Sequence, residues 1–345
     1  MAWKIPLFKI YWDEEDVRIV SDAIKAGMNW ATGPNVGKFE ELIASYVCTK
    51  YALTFNSGTS ALHAALLAHG IKNGDEVIVP SFTFIATANA PLFVGAKPVF
   101  ADIEEETFGL DPEDVKEKIT EKTRAIIPIH YGGCACKIRE LKEISDDHNL
   151  ILIEDAAESL GARIGDEKVG TFGDSAMFSL CAPKVVTTGE GGIIVTDSRD
   201  IYERLKLVRS HGRAETADYF SSAEYQDYIT LGYNFRMSNI TAALGIAQLK
   251  KIDKIIEMRR KNAEYLTTRL NQELKEVITP NPLKDYYHVY QMFTIRVNNY
   301  RDELAKYLAD EGIMTKVYFF PIHLTHFYKN ELGYTCKLPV TEEIS

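Results

Sequence analysis

The sequence predicts an α/β fold in which a mainly parallel sheet is covered by helices and followed by a smaller C-terminal α+β unit. Three observations predict it. Short apolar runs of strand length alternate with amphipathic helical runs through the first half of the chain. A helical periodicity then extends from about Ser238 towards Leu274, with Leu249, Ile252, Ile255 and Ile256 on one face. After Pro280 and Pro282 the pattern changes to strand, helix, strand. With 345 residues the chain exceeds the usual domain size of about 100–200 residues, so two domains are expected, at 12–250 and 251–345.

Taken in order, residues 51–55, YALTF, read as a strand, 56–60, NSGTS, as a tight turn, and 61–67, ALHAALL, as a helix. Strands are expected at 76–79, 98–102 and 124–130, with helices opening near Ala86, Pro112 and Ile138 between and after them. The run 150–155, LILIED, is continuously apolar until it ends in two acids, the pattern of a buried parallel strand whose carboxyl end opens into a crevice. Runs 175–179, SAMFS, and 192–196, GIIVT, bracket a polar loop rich in glycine and threonine. The helical stretch from Ser238 has a length that suits a connector between domains. Beyond it, 289–297 reads as a strand, 301–310 as a helix and 315–320 as a strand. No repeat or low-complexity segment interrupts this order.

Bulk properties narrow the class. Charged residues make up 26% and hydrophobic ones 46%, as in ordinary globular proteins. A net charge of −10 argues against sequence-independent binding to nucleic acid or to an anionic membrane, because both select basic faces. No stretch approaches the ~20 apolar residues of a membrane span, and the opening MAWKIP is unlike a secretory leader, so the cytoplasm is expected. The five cysteines, Cys48, Cys134, Cys136, Cys181 and Cys336, are odd in number and scattered, which argues for free thiols. His130 with Cys134 and Cys136 lacks a second ligand pair, and no metal site is expected.

Three features carry chemistry. Lys184 lies in the loop between 175–179 and 192–196, at the mouth of a sheet. Asp155 closes the 150–155 run at a ligand-binding edge. The 56–60 turn leads into a helix N-terminus whose free N–H groups suit a phosphate, although Ser57, Thr59 and Ser60 would equally serve as ordinary N-caps. A lysine amine, a strand-end carboxylate and a phosphate cradle are the parts that hold pyridoxal phosphate. The amine condenses with its aldehyde, the carboxylate keeps its ring nitrogen protonated, and the cradle anchors it.

Several blocks also occur in a recognisable order: 30–34 (WATGP), 56–60 (NSGTS), 80–84 (PSFTF) with Ala86 and Thr87, and 154–157 (EDAA). Phe178 and Ser179 with Lys184 and 187–192 (TTGEGG), then 232–239 (GYNFRMSN), complete them. In these the chain resembles the DegT/DnrJ/EryC1/StrS aminotransferases, from about Trp30 to the C-terminus. The resemblance implies fold type I of the pyridoxal phosphate-dependent transferases, the aspartate aminotransferase-like fold. It implies transfer of an amino group from an amino acid, L-glutamate being expected, to a nucleotide-linked keto sugar, for amino-sugar and surface polysaccharide biosynthesis. By the same resemblance Lys184 bonds the cofactor aldehyde, Asp155 pairs with the ring nitrogen, and Gly58, Thr59 and Ser179 contact the phosphate. Phe84 stacks on the ring. Asn234 matches a position that reaches the phosphate from the neighbouring subunit, which implies a homodimer with shared active sites.

Glu158 falls where family members carry His, Gln or Glu near the cofactor's phenolic oxygen. A carboxylate beside a phenolate would be repelled, so a proton held more tightly on Glu158, or one shared between the two oxygens, is expected there. For substrate, the segments 210–220 (SHGRAETADYF) and 318–323 (YFFPIH) are candidate pocket walls, with Arg213, Arg236 and His323 as candidate contacts. A dehydratase of the same family would carry histidine in place of the lysine, and Lys184 speaks against it. Action on cyclitols or other ring ketones, or a binding role without catalysis, remain the alternatives. The sequence ends at Ser345, where relatives typically continue with a further strand and helix, so the last sheet edge of the second unit is expected to differ.

Overall fold

The computed structural model describes residues 3–214 and 225–345. At its centre is a seven-stranded sheet in the order Tyr51–Phe55, Gly192–Thr196, Ser175–Ser179, Ile151–Asp155, Thr123–Ile126, Glu76–Pro80 and Lys97–Ala101. Gly192–Thr196 runs antiparallel to both neighbours, and every other pairing is parallel. The sheet is therefore mainly parallel, as expected.

Its strands lack polar alternation because both faces are buried. Leu152, Ile193 and Val195 pack into one apolar layer, with Phe39, Ile43, Ile138 and Ile246 from helices Pro34–Val47, Ile138–Asp147 and Asn239–Leu249. Their neighbours Ile153 and Ile194 point the other way, onto Leu62 and Leu66 of helix Gly58–Ala68 and Leu205 of helix Arg199–Arg209. Helices on both sides of a parallel sheet leave the carboxyl ends of the strands as the open crevice. Among the described residues no helix is long and apolar enough to cross a membrane.

Three expectations change. The helical stretch from Ser238 is two helices, Asn239–Leu249 and Ile252–Glu273, with the break at Lys250 and Lys251. Lys251 leaves helical geometry (φ −107°, ψ 3°), and its ammonium is bound by Asp13 at 2.9 Å and by Asp16. Residues 289–297 form a strand only at Arg296–Val297, which pairs with Val277–Ile278. Upstream, the N–H groups of Val289 and Met292 go instead to the carbonyls of Gly133 and Gly132, at 2.9 and 3.1 Å. Residues 315–320 form no strand; the sheet-like pairing beside them is a bridge between Ile5 and Ile313. The expected helix at 301–310 is present as Arg301–Asp310. Residues near the C-terminus return to the main sheet: Ile322 N–H donates to Ser81 O at 3.0 Å and Thr341 N–H to Asp102 at 2.8 Å.

Candidate active site

Strand alternation separates the two acids at the end of Ile151–Asp155. Glu154 is fully buried, pairs with His130 at 2.9 Å and accepts the N–H groups of Gly170, Phe172 and Gly173 at 2.8–2.9 Å. It is a structural carboxylate. His130 is used up in the same way, its other ring nitrogen accepting Cys136 N–H at 3.1 Å. Asp155 points to the opposite side, 3% exposed, and accepts Thr87 Oγ1–H at 2.7 Å and Ala157 N–H at 3.2 Å. Burial pushes its carboxyl above the usual carboxylate range, while those two donors and the charge of Lys184 pull it back.

Lys184 stands on the loop joining the antiparallel strands Ser175–Ser179 and Gly192–Thr196. Its Nζ is 3.3 Å from Glu158 Oε1, and the second Glu158 oxygen accepts Gly132 N–H at 2.9 Å. Both side chains are shielded, at 12% and 3% exposed. The phenol of Tyr318 faces the same carboxylate, and burial with the charge of Glu158 pushes it above the ordinary phenol range. Tyr131 donates its hydroxyl to the Tyr318 carbonyl, fixing that aromatic pair over Glu158.

The third part is the cradle. Ser57 caps helix Gly58–Ala68 by accepting Ser60 N–H at 3.1 Å, so the first amides of the helix, Gly58 and Thr59, have no helical acceptor. Glycine is needed on both sides here. A Cβ on Gly58 would sit 3.1 Å from Met177 Sδ and 3.4 Å from Ser179 Cβ, and one on Gly192 would fall on the Ser57 carbonyl and 2.7 Å from Gly58 N. Ser179, half-buried at its strand end, thus lies against Gly58.

Phe84 caps helix Ile85–Phe93 one turn before Thr87, with its ring 59% exposed. Its ring centroid lies 6.5 Å from that of Phe319, and the helix it opens brings Thr87 to Asp155. Asn234 is exposed, and its carbonyl accepts the Asn56 side chain at 3.3 Å, next to the cradle. Arg213 is buried and bridges in sheet fashion to Tyr228, while Arg236 is half-buried; residues 215–220 of the expected pocket wall lie outside the described residues. His323 is 2% exposed, with Ser81 Oγ at 2.7 Å from one ring nitrogen and Glu342 at 3.3 Å from the other. Its ring is engaged within the fold and ties the C-terminal segment to a strand end.

Against known proteins, the model of the DegT/DnrJ/EryC1/StrS aminotransferase family matches residues 11–345. The chain belongs to this family. It is 36% identical to GDP-perosamine synthase of Escherichia coli O157:H7, over 99% of this chain and 90% of that protein. Among solved structures it superposes on Helicobacter pylori PseC, an aminotransferase of pseudoaminic acid biosynthesis (TM-score 0.91, 28% identity, 99% of this chain and 91% of that one). It also superposes on Spr1654 of Streptococcus pneumoniae in its PMP form (TM-score 0.93, 25% identity, 99% and 92% covered). The fold is thus fold type I, and the chain is a pyridoxal phosphate-dependent sugar aminotransferase.

The residues present fit that cofactor. A buried carboxylate held by a hydroxyl and an N–H suits a pyridinium, a shielded amine suits an aldehyde, and a helix N-terminus walled by glycines suits a phosphate. Gly132 and Tyr131 have no role predicted from the sequence, Thr87 only closes a matched block and Tyr318 only opens a candidate pocket wall; yet Thr87 holds Asp155, Gly132 and Tyr318 hold Glu158, and Tyr131 holds Tyr318.

Proposed function

We propose that the chain moves an amino group from an amino acid, L-glutamate being the expected donor, to a nucleotide-linked keto sugar. The product is an amino sugar for a surface polysaccharide. The convergence of Lys184, Glu158 and Asp155 on one shielded crevice, beside a phosphate-suited helix N-terminus, is the observation that carries this reading. The relative named for GDP-perosamine points to a nucleotide diphosphate sugar as the class of acceptor.

When bound, the cofactor supplies an aldehyde that takes up the donor's nitrogen and a ring that stores electrons from the substrate carbon. Asp155, its charge supported by Thr87 and Ala157, would hold the proton on the ring nitrogen. Lys184, whose Nζ stands 3.3 Å from Glu158, would bond the aldehyde and, as a free amine, would carry the proton between the substrate carbon and the cofactor. Glu158 orients that amine, while Gly132 N–H and Tyr318 hold Glu158 in turn. Gly58, Thr59 and Ser179 would bind the phosphate, and Phe84 would cover the ring.

The assembly we infer is a homodimer with shared sites. Met28, Trp30 and Phe93, at 94%, 51% and 49% exposed, offer apolar surface to a second copy, and Asn234 would reach the partner's phosphate. The cytoplasm, which keeps thiols reduced, suits five free cysteines. A glutamate-dependent screen over nucleotide-linked 3-keto and 4-keto hexoses, with mass detection, tests the reading. An amino product from one of them supports it. Amination of free cyclitol ketones alone would overturn the sugar-nucleotide assignment.

A further inference from the structure

The loop that carries Lys184 is knitted at its ends and bare in its middle. Leu180 N–H donates to Gly191 O and Thr188 N–H to Leu180 O, both at 2.9 Å. Between them Lys184 N–H closes one turn onto Cys181 O at 3.0 Å, and Pro183 has no N–H to offer. The carbonyl of Pro183, one peptide bond from the Lys184 backbone, is instead held from outside. Gln291 Nε2 donates to it at 2.6 Å and Arg259 Nη2 at 3.2 Å.

Those two donors are themselves fixed to one segment. The other Arg259 terminal nitrogen donates to the carbonyls of Gln291 and Tyr290 at 3.0 and 3.3 Å, and Gln291 is 7% exposed. The same segment continues into Met292, whose N–H holds Gly132 O at 3.1 Å, and Gly132 N–H holds Glu158 at 2.9 Å. The contacts form a closed circuit. From Lys184 it passes to Glu158, Gly132 and Met292, then through Gln291 to Pro183 and back to Lys184. Segment 289–292 thus supports the backbone of the amine and the carboxylate that faces it.

We propose that Gln291, with Arg259, is a positioning residue that sets the approach of the Lys184 amine to Glu158 and the cofactor. The inference rests on the reading of Lys184 as the cofactor-bonding lysine. It makes the C-terminal third of the chain part of the catalytic frame, although it supplies no reacting atom. A single hydrogen bond suffices for this, because a reacting group displaced by about 1 Å loses up to two orders of magnitude in rate.

The test uses cofactor-loaded wild type, Gln291→Leu and Arg259→Lys. Gln291→Leu keeps volume and removes the donor, while Arg259→Lys keeps a donor without the fork. For Gln291→Leu we expect the midpoint of the pH titration of the cofactor's visible band to move by at least about half a unit. Single-turnover rate with the amino donor should fall about tenfold, while half-saturation by donor changes less than about twofold. Arg259→Lys should fall between wild type and Gln291→Leu. A folded Gln291→Leu protein with the wild-type titration midpoint and single-turnover rate would overturn the proposal, even if Arg259→Lys fails to fold. Borohydride reduction of wild type, followed by peptide mapping, separates the two levels. No cofactor mass on the peptide holding residue 184 would sink the lysine assignment and the proposal together. Cofactor mass there, with a variant indistinguishable from wild type, removes the positioning role alone.

Discussion

Replacing Thr87 by valine removes a hydroxyl and keeps the shape. Thr87 Oγ1 donates to Asp155 Oδ2 at 2.7 Å and lies 2.9 Å from Thr83 Oγ1, so Thr83 supplies the proton to Thr87. A hydrogen bond to a charged group contributes about 1.5–3 kcal/mol, against about 1 kcal/mol for a neutral one. Burial raises the Asp155 carboxyl above its ordinary value. In the cofactor-free protein this group therefore adds stability below the unfolded value of about 3.9, and that stability is lost as pH rises through the raised folded value. Above that value Thr87 bonds a carboxylate, and below it a neutral acid. Thr87→Val should cost about 2 kcal/mol where Asp155 is ionised and about 1 kcal/mol where it is neutral, so the cost grows as pH rises through the folded titration of Asp155. For a chain this long the thermal midpoint should drop about 3 °C in the first case and about half that in the second. Cofactor affinity at neutral pH should fall about tenfold, because the carboxylate that meets the ring nitrogen has lost a support. Thermal unfolding of cofactor-free wild type and variant across a pH series is the assay. A drop that stays equal across the whole series would refute the assignment of Thr87 to a charged Asp155.

Other changes test the remaining parts. Glu158→Gln should retain the cofactor but shift the pH titration of its visible band, because a carboxylate facing a phenolate would be gone; an unchanged titration removes Glu158 from the ring environment. Gly192→Ala drives a Cβ into the Ser57 carbonyl and towards Gly58 N, so cofactor affinity should fall at least about tenfold while the sheet still forms. Equilibrium dialysis showing wild-type affinity would break the link between Gly192 and the cradle. Lys184→Ala should leave no detectable turnover; normal amination of the sugar by that variant would defeat the mechanism.

Much of this arrangement was legible because local pattern and tertiary demand agree. Continuous apolar runs such as 150–155 mark strands buried on both faces, and the rule that ligands meet strand ends singles out the acid at position 155, which the structure buries at the end of its strand. Other features depend on partners far away in the chain. The helix break at Lys251 is stabilised by Asp13 and Asp16, more than two hundred residues earlier, and periodicity alone runs straight through it. Residues 289–295 have the β-branched and aromatic composition of a strand, yet the N–H groups of Val289 and Met292 serve the Gly132–Gly133 turn. The ring of His323 is tied by Ser81 and Glu342, which no local pattern announces. Thr87 escaped for the opposite reason: a threonine in a first helical turn is so common that its contact with Asp155 has no distinguishing signature.

The most direct measurement is an experimental structure of the chain with pyridoxal phosphate bound. Continuous density should join the cofactor to the side chain of Lys184, with the ring nitrogen about 2.7–3.1 Å from an Asp155 oxygen and the phosphate on the amides of Gly58 and Thr59. A cofactor bonded to another lysine, or a ring nitrogen turned away from Asp155, would contradict the account.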